Sequence, residues 1–193
     1  MGLLSCKEIT FKLVYYGTGL GGKTTNLKVI YSQLSPQTRG ELVSLATETE
    51  RTLFFDFMPL DLGLINGFKA RISMYTVPGQ EEYNKSRKLI LRDVDGIVFV
   101  ADSSVLRSEE NQASLKNMMD NLKEYNLTLQ DIPWVLQYNK RDISNMMTVE
   151  RMESELNKMG VPAFEAVALE GKGVFATLKA ITKMMLNRAK GDD

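Results

Sequence analysis

Gly17-Thr18-Gly19-Leu20-Gly21-Gly22-Lys23-Thr24 separates two unlike runs of sequence. Before it, Ile9–Tyr16 is β-branched and aromatic and reads as a strand that breaks at Gly17. After it the chain reads as a helix from Lys23, with Leu27, Ile30, Tyr31 and Leu34 on one face, until Ser35-Pro36 stops it. The octapeptide fits G-x-x-x-x-G-K-[ST] in the strand-to-helix setting that this pattern requires. Glycines there let successive backbone N–H groups converge on phosphate oxygens, with the helix N-terminus behind them. Gly17, Gly19, Leu20, Gly21 and Gly22 would form the cradle, and Lys23, Thr24 and Thr25 would open the helix. Lys23 would reach the β- and γ-phosphates, and the Thr24 hydroxyl would bind Mg²⁺. The competing reading is a glycine-rich turn that only caps a helix.

Outward from this loop, Leu42–Leu45 is a short strand candidate, and Leu53–Leu60 and Phe68–Val77 read as a hairpin joined at Asp61–Gly67. Strands and helices then alternate: Gly96–Ala101, Ser108–Tyr125, Trp134–Tyr138, Thr148–Met159, Ala163–Val167 and Gly173–Ala189. The order predicts an α/β fold with a mainly parallel sheet, one antiparallel edge hairpin and helices on both faces. It is read as one domain over residues 1–193 with short frayed termini. Ligands of such sheets sit beyond the carboxyl ends of the strands, so the loops after Tyr16, Val77, Ala101, Tyr138 and Val167 are the ones to inspect.

Composition narrows the chemistry. The 193 residues hold no histidine, one cysteine (Cys6), and 24 basic against 24 acidic side chains. Relays through histidine, cysteine-only zinc sites, iron–sulfur clusters and internal disulfides are excluded. Zero net charge argues against bulk electrostatic attraction to nucleic acid. The longest wholly apolar run, Ile97–Ala101, is far short of the ~20 residues that span a bilayer. No signal peptide is read at the N-terminus, position 6 is Cys where acylation patterns want Ser or Thr, and no prenylation motif ends the sequence. The expectation is a cytoplasmic protein. The eleven methionines read as adaptable packing, although pairs such as Met118-Met119, Met146-Met147 and Met184-Met185 also suit a plastic partner surface.

Asn139-Lys140-Arg141-Asp142 follows the strand Trp134–Tyr138. A carboxylate there would accept both the ring N–H and the exocyclic amine of guanine, an edge that adenine lacks. Asp142 takes that role, Lys140 lays its stem along the base, and Asn139 ties this loop to the phosphate loop. One strand later, Val167 and Ala168 would present the Ala168 N–H to the guanine carbonyl. Thr76-Val77-Pro78-Gly79-Gln80 offers a Gly79 amide for the γ-phosphate and Gln80 to orient an attacking water. In the polar stretch 47–52, the Thr52 hydroxyl would be a second Mg²⁺ ligand, and Arg51 an arginine that neutralises charge in phosphoryl transfer. Arg51 also reads as a surface residue paired with Glu48 or Glu50.

These segments resemble the Ras-like small GTPases. Thr47-Glu48-Thr49-Glu50-Arg51-Thr52-Leu53-Phe54-Phe55-Asp56-Phe57, with Tyr75–Gln80 and Gln137–Asp142, is similar to the MglA-type bacterial members that act in cell polarity and motility. The resemblance implies a Ras-like fold, GTP and GDP as ligands, Arg51 as an intrinsic finger, a roadblock-domain (MglB-like) homodimer as activator, and polarity effectors reached from a cell pole. Thr76 stands where most Ras-like proteins carry the Asp of D-x-x-G, as in MglA-type members. A hydroxyl cannot hold the outer shell of Mg²⁺ as a carboxylate does, which leaves Glu48, Glu50 or Asp56 to compensate. Two other readings stay open: a GTP-binding scaffold with negligible turnover, and a P-loop small-molecule kinase.

Overall fold

A computed structural model describes residues 7–45 and 55–191. The strands are β1 (Glu8–Gly17), β2 (Val43–Leu45), β3 (Phe55–Ile65), β4 (Phe68–Thr76), β5 (Gly96–Asp102), β6 (Trp134–Asn139) and β7 (Ala163–Glu165). The helices are α1 (Lys23–Gln33), α2 (Asn84–Leu91), α3 (Ser108–Lys123), α4 (Val149–Leu156) and α5 (Val174–Lys190). Among the described residues the seven strands form one sheet in the order β2-β3-β4-β1-β5-β6-β7. Pairing is parallel from β4 across to β7 and antiparallel along β2-β3-β4. The antiparallel edge therefore gains a short outer strand beyond the expected hairpin.

β5 and β6 are buried along their whole length, as continuous apolar runs covered on both faces must be. Alternation along β1 sends Val14 and Tyr16 to one face and Leu13 and Tyr15 to the other. On the first face they meet Leu91 of α2, Met118 and Leu122 of α3, and Met152 of α4. On the second they meet Leu27 and Ile30 of α1 and Val174, Leu178, Ile181 and Met185 of α5. Each fully buried aliphatic side chain contributes about 1.5–3 kcal/mol. The methionine pairs divide their roles: Met118, Met147 and Met185 are buried, whereas Met119 and Met146 are exposed.

Of the boundaries that differ from the sequence reading, two have a clear local reason. β3 continues to Ile65 because Gly63 serves a bulge, its N–H held by Asp61 Oδ1 at 2.8 Å, and the turn narrows to Asn66-Gly67, both at positive φ. α4 stops at Leu156 because the Asn157 amide takes both backbone groups of Val161, at 2.8 Å each. α2 has no counterpart in the sequence reading. Two of its four buried residues are Ser86 and Arg87, so its inner face carries no clean apolar stripe.

Candidate nucleotide site

Gly17–Gly22 connects β1 to α1, whose first turn has no side-chain cap and no acidic residue, leaving its N–H groups to an anion. Gly22 sits at φ 105, and a Cβ there would lie 2.1 Å from Asn139 Nδ2, so only glycine fits. Lys23 Nζ donates to the carbonyls of Gly17 (2.9 Å) and Thr18 (2.5 Å). Burial, with the Arg87 cation adding to it, Asp56 opposing and Arg107 adding again, pushes the Lys23 ammonium down from 10.5 to about 7. As pH falls from 10.5 toward 7 the unfolded chain gains this proton before the folded one, and stability is lost over that window. A phosphate against Lys23 reverses the shift. Binding of GDP at pH 8 should therefore be accompanied by net proton uptake. Calorimetry in two buffers of different ionisation enthalpy measures this, and a buffer-independent heat would contradict it.

The loop after β6 reaches the phosphate loop directly. Asn139 Nδ2 donates to Gly21 O at 2.9 Å, as the sequence reading expects. Asn139 Oδ1, however, accepts the Ala168 N–H at 2.9 Å, so that donor is engaged on Asn139 rather than presented to a base carbonyl. Lys140 adopts φ 65, which aims its side chain back over the sheet end, where Nζ meets Asp102 Oδ2 at 2.6 Å. Asp142 is exposed on the turn, close enough to Lys172 to raise the pKa of that ammonium, after Glu170. Arg141 locks the loop from behind, through Glu165 at 2.8 Å and the Met147 carbonyl at 2.7 Å.

Three threonine and serine hydroxyls converge on one carboxylate. Asp56 of β3 is buried, and its Oδ2 accepts Thr24 Oγ1 (2.5 Å) and Thr76 Oγ1 (2.8 Å), while Oδ1 accepts Ser44 Oγ (2.6 Å). Antiparallel pairing of Phe57 with Tyr75 sets Asp56 beside Thr76. A cavity of about 950 Å³ opens here, lined by Gly19, Thr24, Asp56, Thr76, Gly79 and Gln80, within the usual size of a ligand pocket. Gly79 touches the phosphate loop backbone to backbone: a Cβ would lie 2.1 Å from Gly19 N.

Residues 12–187 match the sequence model of the Ras family. The chain belongs to the Ras family. It is 56% identical over 186 residues to the mutual gliding-motility protein MglA of Myxococcus xanthus, covering 96% of this chain and 95% of that one. It is 22% identical to the human ADP-ribosylation factor-related protein 1 over 181 residues, 90% of this chain and 84% of that protein. The bovine counterpart is likewise 22% identical over 177 residues, 88% and 82%.

Within this MglA-type, Ras-family chain, the sequence-predicted residues Gly17, Gly19, Leu20, Gly21, Gly22, Lys23, Thr24, Thr25, Gly79, Gln80, Asn139, Lys140, Asp142, Val167 and Ala168 all lie at the carboxyl ends of β1, β4, β6 and β7 or in the loops and helix starts that follow them. Arg51 and Thr52, together with Glu48 and Glu50, fall outside the described residues, as does Cys6. Asp102 and Arg107 were not legible. Asp102 is buried and holds Lys140, while Arg107 Nη2 donates to Gly19 O at 2.6 Å, so the pair bridges base loop and phosphate loop. The position of Asp102 at the carboxyl end of β5 was the available signal.

Proposed function

We propose that this chain is a GTP-binding and GTP-hydrolysing switch, one G domain that controls cell polarity and motility through partners selective for its GTP form. The observation that carries the reading is the Asn139 bridge, which draws an N-K-x-D loop onto a G-x-x-x-x-G-K-T loop. Lys23 and the amides of the phosphate loop would hold the β- and γ-phosphates, and Asp142 would accept the guanine N–H groups, with Lys140, Val167 and Ala168 forming the walls of the base site. Thr24 and Thr52 would be the protein ligands of Mg²⁺, with Asp56 behind Thr24. Their hard oxygens suit a cation that takes its other ligands from phosphate and water. Mg²⁺ held there would supply positive charge against the phosphate oxygens. Gln80 would orient the water, Gly79 the γ-phosphate, and Arg51 would neutralise the developing charge.

The similarity to a gliding-motility protein supports the motility role. A roadblock-domain (MglB-like) activator, polarity effectors, and a cytoplasmic pool enriched at a pole in the GTP state follow from the same resemblance. Among the described residues no helix is long and apolar enough to cross a membrane. Slow intrinsic hydrolysis fits a Gln80 side chain that is exposed and awaits a partner to order it. Single-turnover hydrolysis of bound GTP tests the catalytic assignment: Gln80→Ala and Arg51→Ala should each slow it by about 10²-fold. Rates equal to the parent, with and without an activator, would remove both assignments and, where the parent rate is itself negligible, favour a GTP-binding module without turnover. Tighter binding of ATP than of GTP would favour a P-loop kinase.

A further inference from the structure

Behind the Gln80 loop lies a buried polar cluster that the roles above leave unused. Arg87 of α2 is only 6% exposed. Its Nη1 donates to the carbonyls of Pro78 (3.2 Å) and Gln80, the two residues that flank Gly79. Its Nε donates to Asn117 Oδ1 of α3 at 2.9 Å. That same oxygen accepts the Tyr16 hydroxyl at 2.6 Å, and Tyr16 is the last residue of β1 before Gly17. Asn117 and Asn121 each donate to Asn84 Oδ1, at 3.0 and 2.9 Å, which fastens the start of α2 to α3. Burial pushes the Tyr16 hydroxyl up to about 12, so it keeps its proton and acts as a donor. One guanidinium thus holds the backbone on both sides of Gly79 and ties it, through Asn117 and Tyr16, to the root of the phosphate loop. A buried fork with fixed geometry suits this, because its donors are rigidly disposed.

We propose that Arg87 is a positioning residue for GTP hydrolysis, which with Asn117 and Tyr16 fixes the Gln80 backbone relative to the phosphate loop. This rests on the reading of Gln80 as the water-orienting residue. Arg87 serves Pro78 and Gln80 from Nη1 and Asn117 from the separate Nε, a spread that the three donors of a lysine ammonium, all on one atom, do not reproduce, and phenylalanine at position 16 removes a single hydroxyl from an otherwise unchanged core.

The test is single-turnover hydrolysis of preloaded GTP, with GDP dissociation measured on the same proteins. Arg87→Lys should slow hydrolysis about 10-fold to 100-fold, the cost of a misplaced catalytic group, and Tyr16→Phe should slow it in the same direction by less. GDP dissociation should stay within about 2-fold of the parent, since the loss is confined to the transition state. In a Gln80→Ala background, Arg87→Lys should slow hydrolysis no further. An undiminished loss in that background, an unchanged rate in the parent background, or a parallel rise in GDP dissociation overturns the proposal. A slow Gln80→Ala beside a fast Arg87→Lys removes this proposal alone. A Gln80→Ala protein as fast as the parent removes the reading of Gln80 and this proposal with it.

Discussion

Asparagine in place of Asp142 should cost GDP about 10²–10⁴ in affinity and shift preference to xanthosine diphosphate. Guanine offers two N–H donors on the edge that faces this position, and a carboxylate accepts both. Asparagine keeps one acceptor and turns a donor toward the exocyclic amine, leaving two donors opposed. Xanthine carries a carbonyl at that carbon, which the asparagine N–H matches. The backbone frame is insensitive to the change, because Arg141 holds the turn through Glu165 and Met147 and Asn139 holds it through Gly21. Competition between the two diphosphates for each protein measures the effect. Equal loss of both would mean that the loop has collapsed, and unchanged GDP affinity would mean that Asp142 does not read the base.

Asp56→Asn should weaken Mg²⁺ binding to the GDP complex by about 10–100-fold, the usual cost of losing a partner of a metal ligand. The expectation follows from the departure at Thr76. A carboxylate belongs behind the hydroxyl proposed to bind Mg²⁺; β4 supplies a hydroxyl there, and the neighbouring strand β3 supplies the carboxylate, 2.5 Å from Thr24 Oγ1. The dependence of GDP dissociation on Mg²⁺ concentration reads the affinity without recourse to turnover. Thr76→Asp in the Asp56→Asn background returns a carboxylate from the other strand and should recover part of the loss. An unaltered Mg²⁺ dependence in Asp56→Asn would assign the outer shell to other groups.

Much of this frame was legible because it is written locally. The phosphate loop, the N-K-x-D loop and the apolar runs of β5 and β6 each state their structure within a few residues. Of the three carboxylates the sequence offers behind Mg²⁺, Glu48 and Glu50 lie outside the described residues, and the contact of Asp56 with Thr76 and Thr24 depends on the register of β3 on β4 and on where α1 packs, neither of which is written locally. Asp102, Arg107 and Arg87 were silent for the same reason, since their partners stand 38, 88 and, for Asn117, 30 positions away in sequence. α2 was missed because its buried face is built around an arginine and a serine. The Ala168 amide reads from the sequence as a donor to the base, and in the structure it donates to Asn139 Oδ1. Polar groups at the sheet edge choose among several partners, and proximity in three dimensions decides.

The most direct test of the central claim is the nucleotide carried by the purified protein. Denaturing the protein and resolving the released nucleotide examines the phosphate loop and the base loop together. A guanine nucleotide, GTP or its hydrolysis product GDP, at close to one per chain is the result predicted. An adenine nucleotide in that position, or no retained guanine nucleotide when GDP and Mg²⁺ are present throughout purification, would contradict it.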